Sequence, residues 1–213
     1  MSTVEALLDV ANAPGDSTDI RGRLLRAALA AFREEGYRAS IERIAARAGV
    51  ARQTLYNHCP AKVDLFREVI RLASADLLVS LNDDGMPLRD RLRRFALIFR
   101  SRLLSPEGIA FFRSLVSEAV HLPDLASAFY NNGPAQTEQR LAGVLAAAMV
   151  TGELRHDDPA FAARMLISML IEGPRTRCLF MCAEPDLPSP ANTDQILDTF
   201  LRAFGTTTLR SPS

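Results

Sequence analysis

Ser40-Ile-Glu-Arg-Ile-Ala-Ala-Arg-Ala-Gly-Val-Ala-Arg-Gln-Thr-Leu-Tyr-Asn-His58 is the stretch on which the reading of this chain turns. Two short helices joined by so tight a turn need a left-handed residue at the corner, and Gly49 supplies it without a Cβ penalty. Where the two backbones cross a small side chain is required, and Ala45 fits; Ile44, Val50 and Leu55 can seal the wedge. Ser40 is placed to cap the first helix, with Glu42 in its first turn where the helix dipole favours an acid. On the second helix, from about Ala51 to Asn57, the side chains of Arg52, Tyr56, Gln53 and Asn57 share an arc of about 140°, with Ala51 and Leu55 opposite. Arginine can pair bidentately with guanine, glutamine and asparagine with adenine, and tyrosine or threonine with a phosphate or a thymine methyl. The stretch therefore reads as a helix-turn-helix whose second helix can enter a major groove.

Charge agrees with this placement. Lys and Arg together number 25, as do Asp and Glu, yet from Asp19 to Glu68 ten basic residues stand against six acidic ones. The excess of positive charge thus falls in the third of the chain that holds the helix-turn-helix stretch rather than over the whole molecule. Lys62 is the only lysine, so the remaining positive charge is the fixed, planar guanidinium of arginine.

Outward from the motif, helical periodicity recurs and strand alternation does not, which predicts an all-α protein of about ten helices. A first helix from about Asp19 to Glu35, capped by Ser17 or Thr18, carries the inward stripe Leu24, Leu25, Ala28, Leu29 and Phe32 and stops at Gly36. A long helix from about Ala61 to Leu81 leads to the turn Asn82-Asp83-Asp84-Gly85. Beyond it, helices are expected over Pro87–Leu104, Pro106–Val120, Pro123 to about Asn131, Pro134–Val150, Pro159 to about Cys182, and Asp194–Phe204. Proline near most starts and glycine in the breaks set these limits. The organisation expected is a flexible segment over residues 1–18 in which Val4–Ala11 allows a short helix, a DNA-binding unit over 19–66, a sensing and dimerisation unit over 67–206, and a tail over 207–213.

Gly36-Tyr37, Ile44-Ala45, Ala48-Gly49-Val50, Thr54-Leu55-Tyr56, His58 and Lys62, as a spaced set, resemble the DNA-binding domain of the TetR family of repressors over about Ile20–Ile70. The resemblance implies a homodimer that grips both halves of a palindromic operator in double-stranded DNA and is released by a small molecule. Position by position it implies base contacts from Arg52, Gln53 and Asn57, and phosphate or sugar contacts from Ser40, Thr54, Tyr56, His58 and Lys62. Two positions depart from the family pattern: Cys59 stands where phenylalanine is usual, and Ala61 where a capping serine is frequent. An alanine cap costs about 1 kcal/mol. From about Phe111 to Arg155, the set Glu118-Ala119, Pro123-Asp124-Leu125, Phe129-Tyr130, Gly133-Pro134 and Gly152-Glu153-Leu154 is similar to the AefR-like subgroup.

In the larger C-terminal part, Leu88, Leu92, Phe95, Phe99 and Leu103 form one helical stripe, and Phe111, Phe112 and Leu115 add bulk nearby in sequence. Such stripes are ordinarily core. A domain that senses a molecule must open part of its core as an apolar pocket, for which Phe95, Phe99, Phe112, Leu115, Met165 and Met169 are the candidates. Ala160–Ile171 holds one charge, Arg164, so that helix must be buried on most sides. Ile196, Leu197, Phe200, Leu201 and Phe204 make another broad stripe. Two such helices suit a four-helix interface with a symmetry mate, and Gly173-Pro174 should kink the first of them.

Other classes find less support. No run approaches the roughly 18–20 apolar residues of a membrane span, and residues 1–14 lack a basic region followed by an apolar one, so a cytoplasmic protein is expected. Cys59, Cys178 and Cys182 show neither disulfide nor zinc-ligand spacing, although Cys178 and Cys182 lie one helical turn apart as a conceivable redox pair. His58, His121 and His156 lack catalytic partners, and no phosphate loop, dinucleotide fingerprint or metalloprotease motif occurs, so neither an enzyme nor a cofactor is expected. A helical interaction module remains as an alternative but leaves the polar recognition face unused.

Overall fold

A computed structural model describes residues 19–82, 85–181 and 189–206. Ten α-helices occur among the described residues: α1 (Ile20–Glu35), α2 (Ile41–Ala48), α3 (Arg52–His58), α4 (Lys62–Val79), α5 (Leu88–Leu103), α6 (Pro106–Ala119), α7 (Pro123–Asn132), α8 (Pro134–Val150), α9 (Pro159–Leu179) and α10 (Pro190–Phe204). A 3-10 turn, Gly36–Arg38, joins α1 to α2. Strand-like pairing among these residues is limited to an isolated bridge between Leu154 and Gly205. The all-α architecture expected from periodicity is the one observed.

Local chemistry explains most boundaries. Helices α6 to α10 each carry proline in the first turn, where its missing N–H is no loss and its fixed φ suits the helix. The side chains of Ser105, Asp158 and Ser189 accept from the backbone N–H of Gly108, Ala160 and Asn192, capping α6, α9 and α10. This moves the start of α10 from the expected Asp194 back to Pro190, because Ser189 and Pro190 together make the stronger start signal. Asp19, rather than Ser17 or Thr18, occupies the N-cap position of α1. Gly36 has the positive φ expected of a stop but an extended ψ of −157°, so it leads into the 3-10 turn rather than closing a left-handed cap. Pro174 lies within α9, which continues through it to Leu179. The segment 1–18, the tail 207–213, Cys182 and the middle of the turn after α4 lie outside the described residues.

Two apolar clusters hold these helices together. One gathers Leu24, Phe32, Ile44, Leu55, Leu65 and Phe66 from the first four helices, and it also takes in Leu115, Leu125 and Ala128 from α6 and α7. Phe66 sits at its centre, with ring centroids 5.4 Å from Phe32, 5.5 Å from Tyr37 and 6.2 Å from Phe111. Burying a phenylalanine of this kind contributes about 1.5–3 kcal/mol. The other cluster gathers Leu92, Phe95, Phe99, Leu141, Leu145, Leu166, Leu170, Leu197 and Phe200 from the later helices. Packing therefore does not change at residue 66: Val69 and Ile70 join the first cluster, and α6 and α7 form the platform on which the N-terminal head rests.

Candidate nucleic-acid interface

The corner between α2 and α3 is built as the residue types require. Ser40 accepts a hydrogen bond from the Arg43 N–H at 3.1 Å, and Gly49 closes α2 with φ 66° and ψ 38°. Ile44 and Leu55 are fully buried and Ala45 nearly so, sealing the wedge beneath α3. Ala51, placed by the helical wheel on the inner side, is exposed instead because it is the N-cap, where the chain still approaches from solvent.

Leu55 anchors α3, and the rest of its surface is polar. Arg52, Gln53, Asn57 and His58 are exposed, while Thr54 and Tyr56 are half-buried at the edge of the same face. Gln53 donates to Asn57 Oδ1 at 3.1 Å, so the two amides are held side by side one turn apart. Arg52 lies 5.4 Å from the Tyr56 ring centroid and pairs with Glu42 at 2.9 Å, with 61% of its side chain accessible. Its guanidinium is held above its ordinary pKa by the hydrogen bond to Tyr56 and then by the charge of Glu42. A pair this exposed to solvent contributes little and can be exchanged for a nucleic-acid acceptor. The sequence assigns Glu42 only to the helix dipole; its partnership with Arg52 depends on the packing of α3 against α2.

Lys62 opens α4 but is turned back toward the head. Its ammonium donates to the Tyr37 carbonyl and lies 4.4 Å from the centroid of the Tyr37 ring. Burial lowers its pKa, partly offset by Glu35 and Glu42. Ala61 has no side-chain acceptor to give, but the Asp64 carboxylate accepts from its N–H at 3.2 Å, so half of a capping box survives. Cys59 is buried in the head cluster, and burial raises its thiol pKa, which keeps it in the unreactive form.

The six candidate pocket residues are not brought together. Phe95 and Phe99 stack at 5.1 Å in the later cluster, and Met169 packs half-buried against it. Phe112 lies 6.3 Å from Phe129 and 4.6 Å from the Arg175 guanidinium. Leu115 belongs instead to the head cluster, since α6 faces the head, and Met165 is 40% exposed on the outer side of α9. A separate cleft of about 370 Å³ lies between head and platform, lined by Tyr37, Lys62, His121 and Asp124 among others.

The head also touches the platform through the 3-10 turn. Arg38 donates from Nε and Nη2 to Glu118 of α6, at 3.2 and 3.0 Å. Beside it, Gly36 holds a φ of 65°, the left-handed region that favours glycine, and a Cβ there would also displace the Ser114 Oγ, which it would meet at 2.4 Å.

Comparison with known proteins supports the same reading. Residues 24–69 match the family described as bacterial regulatory proteins, tetR family, and residues 90–206 match the AefR-like transcriptional repressor C-terminal domain. No curated protein matches the chain. Among solved structures it is similar to a TetR-family transcriptional regulator from Mesorhizobium loti MAFF303099, with 26% identity, 90% of this chain and 100% of that chain covered, and a TM-score of 0.73. The flavonoid-responsive regulator FrrA is 29% identical, covering 88% of this chain and 98% of its own, with a TM-score of 0.66. A TetR family regulator from Pseudomonas syringae pv. tomato DC3000 is 26% identical over 88% of this chain and 98% of that one, with a TM-score of 0.63.

Proposed function

The chain belongs to the TetR family of DNA-binding transcriptional regulators, and on that premise we propose that it is a repressor that binds a palindromic operator as a homodimer and is released by a small, largely apolar effector. The observation that carries this reading is the exposed face of α3, where Arg52, Gln53 and Asn57 stand together over a buried Leu55. Such a face offers one guanine-type and two adenine-type hydrogen-bonding groups within one helical turn and a half. Ser40, Thr54, Tyr56, His58 and Lys62 border it and are assigned to phosphates and sugars, which fix the register of the helix in the groove. Lys62 reaches a phosphate by redirecting N–H donors that the Tyr37 carbonyl does not occupy.

We assign DNA binding to residues 19–66 and sensing and dimerisation to 67–206, a division of task rather than of packing. The last two helices, α9 and α10, are proposed as the dimer interface. Phe161 and Met165 are exposed on α9, 46% and 40% respectively, as expected of a face that a second copy covers. The effector pocket is assigned to the part of the body holding Phe95, Phe99 and Met169. The relation to a flavonoid-responsive regulator supports a small-molecule effector. Among the described residues no helix is long and apolar enough to cross a membrane, and a cytoplasmic site of action follows from binding chromosomal DNA.

The mechanism proposed is a population shift in which effector in the body favours an arrangement that moves the two heads out of register with successive grooves. Selection of bound fragments from the source genome by purified protein at near-physiological salt tests the reading. Recovery of a palindrome, lost on Arg52→Ala or Tyr56→Ala, is expected. No enrichment over random fragments by the unliganded protein overturns it in favour of a helical interaction module.

A further inference from the structure

The contact between α5 and α10 is a ladder of arginines whose innermost rung meets no acid among the described residues. Arg89 pairs with Asp198 at 2.8 Å, and Arg93 pairs with Asp194 through a fork, Nε to Oδ1 at 2.6 Å and Nη2 to Oδ2 at 3.1 Å. Two turns further along α5, Arg100 meets only neutral oxygens: Nη1 donates to Thr193 Oγ1 and Nη2 to Asn192 Oδ1, both at 2.8 Å. Its Nε is buried without a partner, and the residue is 4% exposed. Burial pulls its pKa down, with no neighbouring carboxylate to oppose the shift.

Burying an ion without a counter-charge is unfavourable, and here a second positive feature compounds it. Asn192 and Thr193 lie in the first turn of α10, a helix of 15 residues whose first turn holds no acid, so the positive end of its dipole faces the guanidinium. The fork thus has room in its hydrogen bonding for a further acceptor at Nε. Nε and Nη2 are the two nitrogens that Arg93 presents to a carboxylate; on Arg100 Nε makes no hydrogen bond and Nη2 donates to Asn192, which is exposed and able to swing away. Thr193, fully buried, keeps Nη1 in place and fixes the plane of the fork.

We propose that Arg100 and the first turn of α10 form the binding site for the charged end of the effector, a small molecule that carries one carboxylate on an otherwise apolar body. The carboxylate takes Nε and Nη2 side-on and displaces Asn192. Phe99 and Ala96, which leave the same stretch of α5 and are buried in the body cluster, place apolar surroundings next to the charge. This inference rests on the ligand-responsive reading above and names the chemistry of its ligand.

Thermal melts without DNA test the site, with benzoate as the carboxylate probe and benzamide as its neutral counterpart. Benzoate is expected to raise the wild-type midpoint by roughly 5–10 °C at about 100 times its Kd, and benzamide to leave it unchanged. The shift should vanish in Arg100→Met. Asn192→Asp, which places a carboxylate on the fork internally, should melt higher than wild type without ligand and no longer respond to benzoate; it carries the test alone if Arg100→Met does not fold. An equal shift with benzamide, a shift that survives in Arg100→Met, or an Asn192→Asp protein no more stable than wild type overturns the site. Operator binding is read separately: a benzoate shift with unchanged operator affinity overturns the effector role, whereas failure to bind DNA at all overturns the regulator reading and not the anion site.

Discussion

In the head, Arg52 is mostly exposed and pairs with Glu42 at 2.9 Å in open solvent, whereas in the body Arg100 is almost wholly buried and meets no acid among the described residues. The same side chain is therefore kept in two electrostatic states. Water screens the first, so it can leave Glu42 for a base or phosphate at little cost. The second has lost its water and gained only neutral acceptors, so it retains an unmet demand for negative charge. The comparison teaches that one side chain type suits two tasks: an exchangeable surface pair, as the proposed DNA-reading face requires, and a buried cation, as the proposed carboxylate site requires.

The largest effect should come where the two regions share structure. Phe66→Ala removes the ring that joins Phe32 and Tyr37 of the head to Phe111 of the platform and should destabilise by about 3–5 kcal/mol. A urea melt should show one cooperative transition moved to lower denaturant; separate transitions for head and body would break the picture of a head seated on α6 and α7. Arg52→Ala should instead leave the melt within about 0.5 kcal/mol of wild type and weaken operator binding by about 1–3 kcal/mol, roughly 5–150-fold, as a titration by fluorescence anisotropy would show. Ala61→Ser should supply the missing half of the capping box at α4 and add about 1 kcal/mol of stability, read as a higher melting midpoint with operator affinity little changed.

The smallest effect concerns the middle rung of the ladder. The hydrogen bond from Arg93 holds the Asp194 carboxyl below its ordinary pKa, against the opposing pull of burial. A carboxylate with a depressed folded pKa contributes stability that is present above its unfolded pKa and lost as pH falls through the folded one. Asp194→Asn should therefore lower stability at neutral pH by about 0.2–1 kcal/mol and flatten its decline below the ordinary carboxylate range. Melts from pH 7 to pH 3 check this, and an unchanged acid limb would separate Asp194 from the ladder.

Legibility in the sequence followed the range of the interactions. Gly49, Ser40 and Leu55 act within a few residues of themselves, so the corner, the cap and the inward side of α3 could be read directly. Proline at the starts of α6 to α9 worked in the same way. The expected start of α10 at Asp194 falls four residues late, since Ser189 and Pro190 begin the helix and Asp194 pairs with Arg93 across to another helix. Nearness in sequence to the α5 stripe suggests the body for Leu115, but the crossing of α6 over the head places it, with Phe111, against the head cluster. Nothing in the pattern of α5 distinguished Arg100 from Arg93: the difference lies in which residues of α10 stand opposite, and only the packed helices reveal it.

The central claim is that the exposed face of α3 reads bases. The most direct measurement compares wild type and Arg52→Ala on an operator in which each base pair is replaced in turn. The account predicts that one symmetric pair of positions, important to wild type, ceases to matter to the variant while the other positions keep their effects. A uniform loss at every position would contradict it, because Arg52 would then be gripping the backbone or supporting the fold rather than reading sequence.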